Sequence, residues 1–150
     1  MKRLLLIVII LIQISCYENS YNNTRNADNN IEYPDIMVTT ENGKLENGGT
    51  YTLTTGSPGE EVSAAFAIEN RGGETLELTR YPEICGGSGE VFELNVEETE
   101  MEVAPGEYTV FSLLYSPGNN SIYEQSFVCI RIISNAPDTE QYDIYAVYDR

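Results

Sequence analysis

The chain has 150 residues, with 24 acidic against 8 basic side chains, a formal net charge of −16 and no histidine. That field repels nucleic acid and anionic lipid, and no basic patch offsets it. Without histidine, the Ser-His and Cys-His nucleophile arrangements and the commonest zinc ligand are absent.

A chain of this length fits one domain, large enough to bury roughly two-thirds of its unfolded surface. Folding therefore requires neither a metal nor a disulfide framework. The three cysteines, Cys16, Cys85 and Cys129, show no C-x-x-C spacing, which argues against a zinc site. No cofactor is expected.

Residues 1–15 read as an export signal. Lys2-Arg3 precede the apolar run Leu4–Ile12, which is too short to serve as a stop-transfer helix. The following Gln13-Ile14-Ser15-Cys16 resembles a bacterial lipobox, with a small residue directly before a cysteine. Gln13 departs from the aliphatic residue usual at its position. The resemblance implies a diacylglyceryl thioether on Cys16 and an N-acyl chain such as palmitate. One acyl chain holds a protein to a membrane only marginally, whereas several hold it firmly. Loss of Lys2 and Arg3 with the signal leaves 24 acidic against 6 basic side chains, a net of −18.

Residues 16–32 join the lipidated cysteine to an asparagine-rich stretch holding Asn19, Asn22, Asn23, Asn26, Asn29 and Asn30. It has no hydrophobic period, and random-coil scaling gives it a span of roughly 20–25 Å. A flexible tether is the expectation.

Residues 33–150 read as one all-β domain. Ile36–Val38 is a first strand, Asn42-Gly43 and Asn47-Gly48-Gly49 are tight turns, and Thr50–Thr54 is a short strand. In Val62–Gly73, alternate residues Val62, Ala64, Phe66 and Ile68 define one buried face. Asn70-Arg71-Gly72-Gly73 ends that strand, and Leu76 and Leu78 resume the alternation. This pattern predicts a hairpin between Val62–Glu69 and Thr75–Thr79.

Phe92, Leu94 and Val96 alternate next, then Met101 and Val103, with a turn at Ala104-Pro105-Gly106-Glu107. Phe111, Leu113 and Tyr115 share a face of Tyr108–Ser116, before the turn Pro117-Gly118-Asn119-Asn120. Val128, Ile130 and Ile132 point inward, with Cys129 and Arg131 outward. Ser134–Asp138 closes that strand and Tyr142–Tyr148 supplies the last. Seven to nine short strands at this spacing, with no 3.6-residue period, argue an immunoglobulin-like β-sandwich.

The set F-x-I-x-N-x-G-x-x-x-L, then V-A-P-G, then x-Y-x-P-G, then I-x-I-x-S-N-x-P resembles the choice-of-anchor D domains. These are immunoglobulin-like modules related to the ASH and major-sperm-protein folds. The matching residues are Phe66, Ile68, Asn70, Gly72, Leu76, Val103–Gly106, Tyr115, Pro117, Gly118, Ile130, Ile132, Ser134, Asn135 and Pro137. They cover nearly all of Asp35–Tyr148. The resemblance implies a domain attached to a bacterial surface, and none of the matching motifs is a catalytic pattern. Each motif also reads mechanically: Asn70 and Gly72 shape a turn, Pro105 presets φ, and Asn135 can bond its own backbone.

Several residues are candidates for more than packing. Cys85 and Cys129 remain once Cys16 is acylated, and exported proteins meet an oxidising compartment. A bond between them would close a loop of about 45 residues, worth about 3–4 kcal/mol in the chain-entropy model. Cys85 lies in a glycine-rich loop, Cys85–Gly89, able to fold over the outer face that carries Cys129. Two separate thiols remain the other reading.

The acidic run Glu97–Glu102 reads as a solvated strand face, because the calcium-loop pattern is missing. Gly86-Gly87-Ser88-Gly89 lacks the lysine and helix of a phosphate loop. Of eleven tyrosines, Tyr81, Tyr123 and Tyr145 are candidates for an exposed contact surface.

Together these features describe a lipid-anchored envelope protein, at the outer membrane or cell surface. Its sandwich acts as a binding or structural module for a protein partner, without catalytic residues. A carbohydrate-binding adhesin domain is the alternative, with glycan as partner, and an enzyme is the third reading.

Overall fold

A computed structural model describes residues 31–54, 60–87, 91–116 and 125–149. The strands in chain order are β1 (Ile36–Thr40), β2 (Gly43–Leu45), β3 (Thr50–Leu53), β4 (Val62–Asn70), β5 (Leu76–Glu77) and β6 (Glu83–Gly87). Then follow β7 (Phe92–Asn95), β8 (Glu102–Val103), β9 (Tyr108–Tyr115), β10 (Gln125–Ile133) and β11 (Gln141–Asp149). One sheet has the order β2-β1-β4-β9-β7 and the other β3-β11-β10-β6, while β5 and β8 form a separate two-stranded ladder. The two larger sheets enclose one core, the arrangement of an immunoglobulin-like β-sandwich.

Alternation decides which side chains enter that core. Ala64, Phe66 and Ile68 of β4 are buried, as are Phe111, Leu113 and Tyr115 of β9. Val128, Ile130 and Ile132 of β10 and Tyr142, Ile144, Ala146 and Tyr148 of β11 face them from the second sheet. Phe66 and Phe111 are direct partners across the β4–β9 ladder, and their rings stack at 5.1 Å. Tyr51 meets Phe66 edge-on at 5.4 Å from the opposite sheet. At the other end of the core, Tyr115 stacks on Tyr148 at 4.4 Å.

Turn chemistry follows the sequence at two positions. Gly43 (φ 100°) and Gly106 (φ 79°) take left-handed conformations that side chains resist. With Pro105 ahead of it, Gly106 forms a turn closed by the Glu107 amide donating to the Ala104 carbonyl, 3.0 Å.

The expected hairpin after β4 does not form. Both edges of β4 are filled, by β1 on one side and β9 on the other, so no position remains for Leu76. The chain is also turned away physically. The Arg71 amide donates to the Asp35 carbonyl and the Gly72 amide to Asn70 Oδ1. Leu76 then pairs with Val103 instead. Gly72 is confined between backbones, since a Cβ there would lie 2.0 Å from the Tyr33 carbonyl oxygen.

Asn135 also departs from expectation. Instead of bonding its own backbone, it accepts from the Glu77 amide at 2.9 Å and donates to the Thr75 carbonyl at 3.2 Å. Its own amide donates to the Glu77 carbonyl, so one residue stitches β5 to the second sheet. The Asn47-Gly48-Gly49 turn is similarly fastened to β11. Asn47 accepts from the Asp143 amide and donates to the Gln141 carbonyl. That attachment leads the chain into β3, which runs parallel to β11.

Candidate functional site

The chemistry-bearing residues gather on the outer face of the four-stranded sheet. Inward Val128, Ile130 and Ile132 force Phe127, Cys129 and Arg131 outward on β10. On β11 the same parity turns Asp143, Tyr145 and Val147 outward. Register then pairs Phe127 with Val147, Cys129 with Tyr145 and Arg131 with Asp143.

Cys85 and Cys129 form a disulfide, with Cα atoms 5.1 Å apart. Cys85 belongs to β6 and not, as the glycine content suggested, to a loop. Arg131 pairs with Glu83 and Ile130 with Ile84, but Cys129 pairs with Gly86. Cys85 is thus the additional residue of a β-bulge, and a bulge re-aims the side chain it carries. Gly87 makes the close approach tolerable. A Cβ there would stand 2.3 Å from the Phe127 carbonyl oxygen, at a φ of 105°.

Arg131 grips Asp143 through two parallel bonds, Nε to Oδ1 at 2.8 Å and Nη2 to Oδ2 at 3.0 Å. These bonds hold the Asp143 carboxyl below its ordinary range, and Gln141 adds a third donor. The same pairing raises the Arg131 guanidinium. The two sulfurs and an Asp143 oxygen lie within 4.8 Å of one another, which is ligand spacing. Here the sulfurs are bonded to each other and the carboxylate is taken by Arg131, so these donors are already engaged.

Among the candidate contact residues, Tyr145 is 37% exposed on β11 and Tyr81 is 50% exposed just before β6. Cys16 and Tyr123 lie outside the described residues. Phe127, 53% exposed, was not singled out from the sequence. Its signal was present in the outward parity it shares with Cys129 and Arg131. The Arg131–Asp143 pair had no such local signal, because it depends on the register between two strands.

The acidic run lies elsewhere. Glu100 and Glu102 are exposed while Val103 is buried, as alternation requires. Thr99 is buried and its hydroxyl donates to the Val110 carbonyl. Glu102 stands directly opposite Glu77 on the β5–β8 ladder.

No family model matches the chain, and no curated protein matches it. Among solved structures, it resembles a protein of unknown function from Porphyromonas gingivalis W83, at a TM-score of 0.59 and 16% identity. That alignment covers 81% of this chain, which spans about half (49%) of the other. A likeness at this identity speaks to the fold. More distant are the secreted serine protease VesC from Vibrio cholerae and the ASH/PapD-like domain 7 of human CEP192. VesC has a TM-score of 0.47 and 16% identity, over 67% of this chain and 21% of that one. The CEP192 domain has a TM-score of 0.42 and 12% identity, over 78% and 85%.

Proposed function

We propose that this chain is a lipid-anchored, non-catalytic binding module of the bacterial envelope, of the choice-of-anchor D type. Its sandwich presents the outer face of the four-stranded sheet to a protein partner. The observation that carries the reading is the pair of outward aromatics on adjacent strands, Phe127 at 53% and Tyr145 at 37% exposure. They flank a disulfide and an ion pair that brace the sheet beneath them. Exposed aromatics on a rigid support supply contact area at low entropic cost. The anchor is Cys16, supported by the Ser15-Cys16 junction after an apolar run. The outer membrane or cell surface is the proposed address.

Two measurements test this. Cys16→Ala should abolish labelling by an alkyne fatty acid and release the domain; equal labelling of variant and parent sinks the anchor. Affinity capture from detergent-solubilised envelope should yield a partner that Phe127→Ser combined with Tyr145→Ser no longer retains. A partner held equally well by the double variant places the contact elsewhere.

One observation favours a glycan instead. Tyr145 follows Asp143 on the same outward face, so an exposed ring adjoins polar side chains, a combination that suits a hydroxyl-rich ligand. Binding on a glycan array that Tyr145→Ala removes would select this reading over the protein contact.

A further inference from the structure

β6 differs from the other strands of the four-stranded sheet, including the other end strand β3, in burying no side chain. None of Glu83–Gly87 is buried, and none joins the core, which passes from Leu78 directly to Phe92. β3 contributes two buried side chains, Tyr51 and Leu53, and β10 and β11 contribute more. The strand stands at the end of the sheet order, with β10 as its neighbour. Its ladder covers only Val128–Arg131 and is interrupted by the bulge at Cys85. Gly86 and Gly87 add no side chains to hold it, and glycine weakens a strand. Besides this interrupted ladder, β6 is held by the covalent bond from Cys85 to Cys129.

We propose that this disulfide is a redox latch: its reduction by a dithiol frees β6 from β10 while the remaining sandwich stays folded. The accessible sulfur is that of Cys85, which is partly exposed, whereas Cys129 is 8% exposed. A thiolate of the reductant attacks Cys85 Sγ. The bond to Cys129 breaks, its electron pair leaves on Cys129 Sγ, and that sulfur takes up a proton. The second thiolate of the reductant then attacks the mixed disulfide, closing the reductant's own disulfide, and Cys85 leaves as a thiolate that is protonated. The protein gains two electrons and two protons, and the dithiol is oxidised by two electrons. With the bond gone, departure of β6 removes no buried side chain of its own from the core, while the backbone groups of Val128–Arg131 become an open edge.

Hydrogen exchange read by mass spectrometry tests the latch on the mature chain in detergent, with and without dithiothreitol. After reduction, amides of Glu83–Gly87 and Val128–Arg131 should exchange at least about tenfold faster, while those of β4 and β9 keep their protection. Cys85→Ser combined with Cys129→Ser should give the same pattern without reductant. Unchanged exchange in β6 overturns the proposal. So does acceleration in β4 and β9 alongside β6, because the bond would then be holding the whole domain and not one strand.

Discussion

Asn70 Nδ2 donates to the Val103 carbonyl at 2.9 Å, fastening the end of β4 to β8 across 33 residues of chain. Asn70 is fully buried. It also donates to the Glu74 carbonyl and accepts from the Gly72 amide, so both ends of the side-chain amide are used. Its backbone adds bonds to Glu107 and Gly106. Removing the side chain strands the buried Val103 carbonyl, at a cost of about 1–3 kcal/mol, and frees the half-buried Glu74 carbonyl and the Gly72 amide. Asn70→Ala should therefore destabilise the domain by roughly 2–4 kcal/mol in urea unfolding. The isosteric Asn70→Asp should fail to rescue it, because a carboxylate cannot donate to Val103 and Glu74. A stable Asn70→Asp variant would contradict this account.

Phe66 is 1% exposed and lies between the Phe111 ring of its own sheet and the Tyr51 ring of the other. Phe66→Ala should cost about 3–5 kcal/mol through lost burial and the cavity left behind. Phe66→Leu, which retains most of the volume, should cost less than half of that. An unchanged denaturation midpoint for Phe66→Ala would contradict its central place.

The Arg131–Asp143 pair makes stability depend on acid. The two bonds from Arg131 lower the Asp143 carboxyl in the folded state below its ordinary 3.8. Its contribution is then complete above pH 4 and is lost as pH falls through the lower folded value. Asp143→Asn should reduce stability by about 1 kcal/mol near pH 7, and the gap from the parent should close below pH 4. A gap that does not narrow at all as pH falls below 4 would assign the effect to packing.

Tyr51 predicts the opposite window. Burial first, then its 2.6 Å bond to Glu41, pushes its hydroxyl up to about 12. The folded state holds that proton more tightly than the unfolded chain, so stability is complete below pH 10 and declines between pH 10 and 12. Tyr51→Phe should lack this part of the alkaline loss, on the order of 1–2 kcal/mol. Parallel alkaline unfolding curves for parent and variant would refute it.

Glu77 and Glu102 face each other across the short β5–β8 ladder, both exposed. Like charges directly opposite are unfavourable in a sheet. Glu102→Lys should raise stability by a few tenths to about 1 kcal/mol at low salt, with the gain shrinking in 1 M salt. A gain independent of salt would point to a cause other than charge.

Much of the domain was legible in local pattern. The inward faces of β4, β9, β10 and β11 follow from a period of two, because successive side chains of a strand point to opposite sides whatever the strand pairs with. Turns at Gly43 and Gly106 were equally local, since left-handed backbone is a property of a single residue. The outward position of Cys129 and the exposure of Tyr145 come from that same parity.

Pairing between strands was decided only by the assembled structure. The ladder of β4 lies with β1 and β9 and not with nearby β5, because long antiparallel partners bury more apolar surface than a two-residue strand can. β3 runs parallel to β11 because the Asn47–Gly49 turn is bonded to Asp143 and Gln141, about a hundred residues away in sequence. The disulfide needed both sources. Sequence placed Cys129 on the outer face, while the bulge that brings Cys85 within reach exists only where β6 lies against β10. A residue's side of a strand is set by its neighbours in the chain; its partner is set by competition among all strands for the same hydrogen-bonding edges.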